Sequence, residues 1–355
     1  MTKKEFIIII WGYHKQIYNF PKEQNYHLHP IEIAKGLGYD VKVISLDDLH
    51  PPEDDPNFPQ DVPIFRFSSF FTYILFLLKH RDAAFYVNSL TLKTLIAWML
   101  VKHSIFIPHD YIFGSHWIKK IIIKFFYQFY TKIRVNNTAE AHEINTIRSN
   151  LAEVVPLVID TKNIILPTQK KHFTLLSLGN LIPKKNPEFL LKALSETKRR
   201  GYSFQMTTIW ADRLKENWLK ENYNELITKY GLNSEVHYLS YLPFDEAYEH
   251  ILKTTIYVNT SSHEWLCLAL YESISAWLWV ILPRILSFEW IFWDDVYTYE
   301  LGNIDALVDT IIQAYDEIDH LPKKILNMQT LVQNRYNYDN ITSKLIELFQ
   351  KTYEK

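Results

Sequence analysis

Cysteine and glycine are scarce in this chain of 355 residues. The single cysteine, Cys267, excludes an intramolecular disulfide framework and a zinc site built on cysteines, and it favours a reducing compartment. No apolar run approaches the roughly 20 residues that span a bilayer. The run Phe6 to Ile10 is also too short for the apolar core of a secretion signal. We therefore expect a cytoplasmic protein, soluble or at most peripheral at the inner face of the membrane.

Only 8 glycines are present, about a third of the average usage of roughly 7%. The shortage matters because nucleotide-binding α/β proteins need glycine where the backbone approaches phosphate. The formal net charge of -2 gives no general attraction to nucleic acid, so no nucleic-acid partner is expected, and any anion must be held by a local group of lysines or arginines. A hydrophobic content of 48% is enough for packed cores, and the length favours two domains.

Short apolar runs rich in Ile and Val alternate with helical patterns along the whole chain. This alternation predicts parallel sheets covered by helices, the α/β class. It restarts at Phe173, after a polar stretch, Asp160 to Lys171, that resembles an interdomain linker. The predicted strands are Phe6 to Ile10, Val41 to Ile44, Ala84 to Val87, Ser104 to Ile107, Ile133 to Val135, Val154 to Ile159, Phe173 to Leu178, Ser203 to Ile209, Val236 to Tyr238, Thr255 to Asn259 and Val280 to Leu282.

A strand-to-helix turn in the second half carries the first candidate site. The segment Leu178-Gly179-Asn180-Leu181-Ile182-Pro183-Lys184-Lys185-Asn186-Pro187 places two lysines just after a predicted strand. A departing nucleoside diphosphate develops negative charge, and fixed cations beside it lower the barrier. Taken alone, two lysines at such a turn are more often solvated surface residues.

Two glutamates follow the predicted strand Thr255 to Asn259. Glu264 and Glu272 are separated by seven residues in Ser261-Ser262-His263-Glu264-Trp265-Leu266-Cys267-Leu268-Ala269-Leu270-Tyr271-Glu272. An ionised carboxylate accepts two hydrogen bonds from a vicinal diol, which suits sugar hydroxyls. A lone acid on an apolar helix is more often a solvent-side residue, so this interpretation depends on its context.

A histidine ends a predicted strand in the first half. In Ile107-Pro108-His109-Asp110, His109 follows the carboxyl end of the strand, where α/β folds bind ligands. A loop histidine that caps the segment Tyr111 to Trp117 is an equally good interpretation.

Together the three segments resemble the retaining family 4 of glycosyltransferases with the GT-B fold. The resemblance is good from about Phe173 to Pro283, fair over Phe85 to Asp160 and thin before that. It implies two Rossmann-like domains facing across a cleft: an acceptor domain over 1–160 and a nucleotide-sugar domain over 161–335, with a terminal helix over 336–355 that packs back on the first domain. The implied reaction moves a sugar from a nucleotide-diphosphate sugar to a carbohydrate or lipid-linked acceptor, with retention of the anomeric configuration.

The resemblance also assigns the residues that hold the donor diphosphate. Lys185 matches the lysine of the family by spacing, and Asn180, next to Gly179, stands where the family has arginine. Asparagine can donate a hydrogen bond but carries no charge, so Lys185 has more of the charge to neutralise. No cofactor and no metal ion are expected, because lysine takes the role that a divalent cation plays elsewhere.

The sugar and the ribose are assigned to the two glutamates. By resemblance Glu264 contacts the hydroxyls of the donor sugar and Glu272 contacts the ribose, while Trp265 and Leu266 belong to the donor loop between them. His109 matches a histidine that faces the donor sugar.

The glycines of the family are replaced in three donor loops. Trp210-Ala211-Asp212-Arg213 stands for a Gly-x-Gly-Pro turn, Cys267 for the second glycine after Glu264, and Trp277 for the glycine of Ala-Gly-x-Pro-Val. A non-glycine residue at positive φ costs about 1 kcal/mol or more.

Two explanations of these replacements stay open. In the first, the tryptophans fill and close the donor pocket, and the protein is a non-catalytic scaffold or a redesigned or inactivated variant. In the second, the loops are rebuilt and an indole stacks on the base or the sugar. The residues concerned are Trp265, Trp277, Trp279, Trp290 and Trp293. A sugar-nucleotide epimerase or a phosphorylase is a third alternative.

The segment 117–132 mixes four lysines with isoleucine, phenylalanine and tyrosine. One interpretation is a basic amphipathic helix in peripheral contact with anionic lipid. The other, which we favour, is a core helix with a lysine-flanked edge.

Overall fold

The computed structural model describes residues 4–10, 25–46, 51–88, 91–108, 117–159, 173–211, 222–264, 266–289, 296–318 and 322–354. His109, Trp265, Trp290 and Trp293 lie outside the described residues, as does the predicted linker.

Strands and helices alternate through the described chain. Their bounds, in chain order, are β1 Glu5–Ile10, α1 Leu28–Gly36, β2 Asp40–Ser45, β3 Ile64–Phe65, α2 Phe70–Lys79, β4 Ala84–Asn88, α3 Leu92–Leu100, β5 His103–Phe106, α4 Trp117–Tyr127, β6 Lys132–Val135, α5 Thr138–Asn145, β7 Ala152–Val154, β8 Thr174–Asn180, α6 Pro187–Arg199, β9 Gln205–Ala211, α7 Tyr223–Lys229, β10 Val236–Leu239, α8 Phe244–Lys253, β11 Ile256–Val258, α9 Leu268–Ser275, β12 Trp279–Pro283, α10 Leu286–Glu289, β13 Tyr297–Tyr299, α11 Ile304–Asp316, α12 Pro322–Tyr336 and α13 Tyr338–Tyr353.

The chain divides into two compact units. The first unit comprises Met1–Asp160 with Tyr336–Lys355, and the second comprises Thr161–Arg335. Each unit has one parallel sheet, in the order β3-β2-β1-β4-β5-β6-β7 in the first and β10-β9-β8-β11-β12-β13 in the second. Both orders step outward from a central strand and then reverse, which is the doubly wound Rossmann topology. The predicted fold class, two Rossmann-like α/β units, is confirmed.

Helices cover both faces of the first sheet. Ile7 and Phe85 point into a core that also contains residues of α2, α3, α4 and α5. On the opposite face, Phe6 packs on Phe349 of α13, with ring centroids 5.2 Å apart. The hydroxyl of Tyr353, also on α13, donates to the carbonyl of Phe85 at 2.6 Å. The C-terminal helix is therefore an integral layer of the first unit.

One predicted strand was misplaced. The sequence analysis put a strand at Val154 to Ile159, but β7 is Ala152–Val154 and the next residues have no regular structure. Residues 155–159 are buried, so their apolar pattern imitated a strand. Their carbonyl oxygens accept hydrogen bonds from a side chain: buried Arg134 donates to the backbone oxygens of Val155 and Pro156, both at 2.6 Å.

The end of α9 shows how a glycine replacement is accommodated. Trp277 adopts a left-handed conformation, with φ of 63°. Its N–H donates to the carbonyl of Ile274 at 3.0 Å, and the N–H of Leu278 donates to the carbonyl of Ser273 at 2.9 Å. This pair of bonds is a Schellman motif, whose left-handed position is usually glycine. Helix α9 therefore ends in a motif that usually has glycine at this position, with tryptophan in a conformation that is costly for it.

We predict that Trp277→Gly is more stable than Trp277→Ala. Both variants remove the indole, but only alanine retains the side-chain strain at positive φ, so the difference in free energy of unfolding should be about 1 kcal/mol in favour of glycine. Urea titration followed by circular dichroism measures it.

Ser273, inside α9, provides the matched control. In a helix interior glycine costs about 1 kcal/mol relative to alanine, so Ser273→Ala should be more stable than Ser273→Gly. The same order at both positions would contradict the assigned strain at Trp277.

Candidate active site

The site lies where the strand order of the second sheet reverses. Strands β8 and β11 are neighbours there, although they are not consecutive in the chain. In sheets of this type ligands bind outside the carboxyl ends of the strands at this reversal. A recess of about 190 Å³, part of it open to solvent, occupies this position. Its lining residues are Ser177, Leu178, Gly179, Asn180, Lys185, Trp210, Tyr257, Asn259, Thr260 and Ser261.

Lys185 is held in place by a short turn between β8 and α6. Asn186, just before the helix, takes a left-handed conformation with φ of 49°, which asparagine tolerates better than most residues. The hydroxyl of Thr260 donates to the carbonyl of Lys185 at 2.7 Å, and the side-chain amide of Asn186 donates to the carbonyl of Thr260 at 3.2 Å. Another bond, from the N–H of Ser262 to the carbonyl of Lys184, measures 2.7 Å. The lysine turn and the segment after β11 are thus tied together.

Lys185 and Glu264 form a buried ion pair. The Nζ of Lys185 lies 2.5 Å from Oε1 of Glu264, and the hydroxyl of Ser261 donates to the same oxygen at 2.6 Å. Burial by itself would lower the pKa of Lys185, but the Glu264 carboxylate holds it above its ordinary value. Burial would likewise raise the pKa of Glu264, but Lys185 and Lys184 hold it below. Both groups are therefore charged at neutral pH.

Gly179 lies against the head of Lys185. Its φ is +153°, and a Cβ at this position would be 3.5 Å from Cε and 3.6 Å from Nζ of Lys185. Side chains rarely adopt this backbone conformation, which accounts for one of the few glycines of the chain being here. Asn180, the next residue, also lines the recess.

Trp210 lies at the rim of the recess, at a position where the resemblance implies a glycine. It is buried at the end of β9, where it pairs in register with Gly179. Its indole N–H donates to the carbonyl of Ser177 at 3.1 Å, and the ring stacks on Tyr223 with centroids 5.7 Å apart. This tryptophan is a fixed wall of the recess, and its hydrogen bond is satisfied.

Tyr257, Asn259 and Cys267 form a polar group beneath the ion pair that sequence reasoning missed. The side-chain amide of Asn259 donates to the hydroxyl of Tyr257 at 3.2 Å and contacts the Sγ of Cys267 at 3.4 Å. The Oδ1 of Asn259 accepts from the N–H of Ser261 at 2.9 Å. The group thereby orients Ser261, the residue that bonds to Glu264. A polar Asn-Thr-Ser-Ser run directly after a strand was the available sequence signal.

Trp277 and Trp279 do not fill the recess. Trp279 pairs with Ile256, which pairs with Leu175, so these residues mark the amino ends of their strands. The recess lies at the carboxyl ends of the same parallel strands. For these two tryptophans, the proposed filling of the donor pocket is wrong.

Glu272 lies on α9 as a partly exposed carboxylate without a hydrogen bond or an ion pair to the described residues. Burial raises its pKa to about 7. Neither Glu272 nor Leu266 lines the recess. Of the predicted site residues, the structure brings together Gly179, Asn180, Lys185 and Glu264.

The first sheet has a polar group at its own strand-order reversal, between β1 and β4. Asn88, at the end of β4, places its Nδ2 2.8 Å from Nδ1 of His27. Asn25 accepts from the N–H of His27 at 3.0 Å and donates to Asp55 at 3.3 Å. All four residues are buried. Sequence reasoning chose His109 for this unit and missed this group.

The candidate site lies in the part of the chain that matches a known protein family. Residues 158–326 match the family described as Glycosyl transferases group 1. The group 1 region contains Lys185, Glu264 and Glu272, and it spans nearly all of the second unit. A search of curated protein sequences found no match to the chain.

Solved structures show the same fold over the whole chain. A glycosyltransferase from Rickettsia africae is 15% identical, with a TM-score of 0.75 and 100% of each chain covered. HepE from Anabaena, solved with UDP-glucose, is 14% identical, with a TM-score of 0.76 over 98% of this chain and 100% of HepE. Sucrose-phosphate synthase from Thermosynechococcus elongatus is 12% identical, with a TM-score of 0.74 over 99% of this chain and 100% of that one. At these identities the likeness shows a common fold.

Within the described ranges, no group of three or more His, Cys, Asp or Glu side chains is arranged to hold a metal ion. Independence of metal ions stays a prediction.

We predict that Lys185→Ala lowers the free energy of unfolding by about 3–5 kcal/mol, because it leaves the Glu264 carboxylate buried without its partner. Chemical denaturation at neutral pH measures the loss. The double variant Lys185→Met with Glu264→Gln removes both charges and should recover most of it.

Lys192→Ala is the matched control. Lys192 forms an exposed pair with Glu188 at 3.2 Å, and exposed pairs contribute about 1 kcal/mol or less. Equal losses in Lys185→Ala and Lys192→Ala would show that the Lys185–Glu264 pair is not a buried one.

We predict that Glu272 makes stability fall as the pH rises from about 4.5 to about 7. The folded protein holds this proton more tightly than the unfolded chain, whose ordinary pKa is 4.5, so the stabilisation is complete at low pH and is lost as pH passes the folded pKa. The full effect is roughly 3 kcal/mol. Burial also raises the pKa of Glu140, to about 8, so unfolding titrations across this range should show a fall that is smaller by this amount in Glu272→Gln than in the wild type.

Glu246→Gln, at an exposed glutamate of α8, should keep the pH dependence of the wild type. If Glu272→Gln keeps it as well, the raised pKa is assigned to the wrong residue.

Proposed function

We propose that this protein is a glycosyltransferase that moves a sugar from a nucleotide-diphosphate sugar to an acceptor with retention of the anomeric configuration, as in family 4. The observation that carries the proposal is the Lys185–Glu264 pair at the strand-order reversal, inside the group 1 region. Structures of the same fold, among them HepE with UDP-glucose and with UDP and glucose, support a nucleotide sugar as donor.

Lys185 supplies the charge that the leaving diphosphate needs. Its ammonium lines the recess, and Glu264 keeps it protonated. A fixed cation stabilises the negative charge that develops on the departing phosphate oxygen, and it needs no reorganisation at that moment. Asn180, in the same recess, adds a neutral donor.

Glu264 is suited to orient the donor sugar. Its Oε1 is taken by Lys185 and Ser261, and Oε2 accepts no hydrogen bond from the described residues. A free carboxylate oxygen beside a cation can accept from a sugar hydroxyl. Glu272, which has no hydrogen bond or ion pair to the described residues, is proposed to accept from the ribose.

The acceptor is proposed to bind the first unit. His27 and Asn88 lie at the strand-order reversal of that sheet, where ligands bind in such folds. His109 stays a candidate in the same unit. A carbohydrate or lipid-linked acceptor is proposed, without a cofactor or a metal ion.

The second candidate function is a non-catalytic scaffold with the same fold. It is favoured by the small size of the recess, in which the centre of a water-sized sphere can reach only about 10 Å³, since ligand pockets usually measure roughly 300–1,000 Å³.

Calorimetry with uridine, guanosine and adenosine diphosphates separates the two functions. We expect one of the three to bind, and Lys185→Met and Glu272→Gln each to weaken that binding about tenfold or more, because each removes a charge-assisted hydrogen bond. The exposed Lys192→Met serves as the control and should bind like the wild type.

If none of the three binds at millimolar concentration, the scaffold is favoured. Unchanged affinity in both site variants rejects the residue assignment while leaving the fold intact. With a donor and acceptor in hand, NMR of the product gives its anomeric configuration and tests retention. New sugar nucleotides formed from donor alone would indicate an epimerase or a phosphorylase.

A further inference from the structure

Three helices form a layer over one face of the first sheet. Tyr73 of α2, Ala97 of α3 and both Ile123 and Tyr127 of α4 point inward and belong to one core cluster. Helix α2 connects β3 to β4, α3 connects β4 to β5, and α4 connects β5 to β6. In the sheet β4, β5 and β6 are neighbours, whereas β2 and β1 lie between β3 and β4. Their outer sides therefore belong to one surface of this unit.

Large apolar side chains cover the outer side of α2. Phe71, Leu75 and Leu78 are exposed, Phe71 to 68%. They recur at i, i+4 and i+7, so they form one stripe along the helix. Tyr73 and Leu77, buried in the core, occupy the other side.

Helix α4 repeats this arrangement. Ile121, Ile122 and Phe125 are exposed, Phe125 to 56%, and they lie within one quadrant of the helix. Met99 of α3 is exposed to 63%. Phe129, just after α4, is also exposed. In the second unit the exposed large apolar residues among those described stand singly, and these are Tyr241, Leu286, Leu301 and Leu326. A concentration of this kind marks an interaction surface, whereas single exposed residues are ordinary.

The charge of the layer has one sign. Helices α2, α3 and α4 carry five lysines and no aspartate or glutamate, in a chain with 40 acidic residues among 355. Lys79 and Lys93 are exposed and have no ion-pair partner among the described residues. Lys124 is 3.8 Å from the carboxylate of Glu143 on α5. This composition complements an anionic surface.

We propose that the lysine-rich apolar surface formed by the outer sides of α2, α3 and α4 docks on a bilayer that contains anionic lipid. Exposed phenylalanine, leucine and isoleucine enter the boundary between headgroups and acyl chains, and the lysines meet lipid phosphates. The surface is wider than the segment 117–132, because α2 contributes the most exposed phenylalanine. The proposal does not depend on sugar transfer.

No described helix combines the length and the apolar character needed to cross a bilayer. In the proposed docking, side chains on the outside of a folded unit enter only the interfacial layer of the bilayer. Docking of this kind requires no membrane-spanning helix.

Sedimentation of the full-length protein with vesicles tests the proposal. One set of vesicles is phosphatidylcholine alone, and in the other about a third of the lipid is phosphatidylglycerol. We expect binding to the anionic vesicles that weakens as salt is raised, and little binding to the neutral ones. Lys79→Gln with Lys93→Gln should weaken it about thirtyfold, at about fivefold for each lysine. Phe71→Ser with Phe125→Ser should weaken it at least about tenfold.

Each double variant has a matched control in the second unit. Lys229→Gln with Lys253→Gln removes two exposed lysines, and Leu286→Ser with Leu326→Ser removes two apolar residues exposed to 53% and 52%. Both controls should bind vesicles like the wild type. Thermal unfolding of every variant verifies that the change at an exposed position has left the fold intact.

Three results would overturn the proposal. They are equal binding to neutral and anionic vesicles, equal losses in the variants and their controls, and no binding by the wild type. In the last case, sedimentation equilibrium showing a dimer that Phe71→Ser with Phe125→Ser dissociates would assign the surface to a second copy of the chain.

Discussion

The buried ion pair of Lys185 and Glu264 is the interaction on which the rest of the site depends. Taking two charges out of water is costly, and a buried pair persists only where its geometry is good and its remaining oxygens and protons are satisfied. Here Ser261 donates to the shared carboxylate oxygen, and Asn259 orients Ser261. The hydrogen bonds from Thr260 and Ser262 hold the lysine turn against the glutamate segment. Two loops that lie far apart in sequence thus form one cation-bearing edge of a parallel sheet.

The chain has few glycines, and its positive-φ positions near the site and at the end of α9 are occupied by different residue types. Gly179 is retained where a side chain would be strained and would press on the lysine head. Asparagine occupies the left-handed position before α6, at little cost because asparagine tolerates that conformation. Tryptophan occupies the left-handed position after α9, where the Schellman bonds still form. The backbone therefore adopts these conformations with few glycines, and the strain is concentrated at Trp277, away from the recess.

Several elements were missed by pattern reasoning for two physical reasons. Helices α2 and α3 are apolar on the side that faces the core and also on much of their outer side, so the contrast between two faces that identifies an amphipathic helix is weak. The two-residue β3 and the three-residue β13 are edge strands too short to show a pattern. The same apolar outer side that hid the helices is what distinguishes the surface of the first unit.

The sequence by itself determined the α/β class and most of the strands, because hydrophobic period is a local property of the chain. Lys185 and Glu264, 79 positions apart, were both named from motifs that resemble those of family 4. Only the tertiary structure decided that these two residues bind each other and that Glu272 lies outside the recess with a raised pKa. It also placed Trp210 in the wall of the recess, and Trp277 and Trp279 at the opposite ends of the strands. The contact of His27 with Asn88 was likewise decided by the tertiary structure. These outcomes depend on which strands become neighbours and on which end of the sheet a residue reaches, and distance along the chain carries no such information.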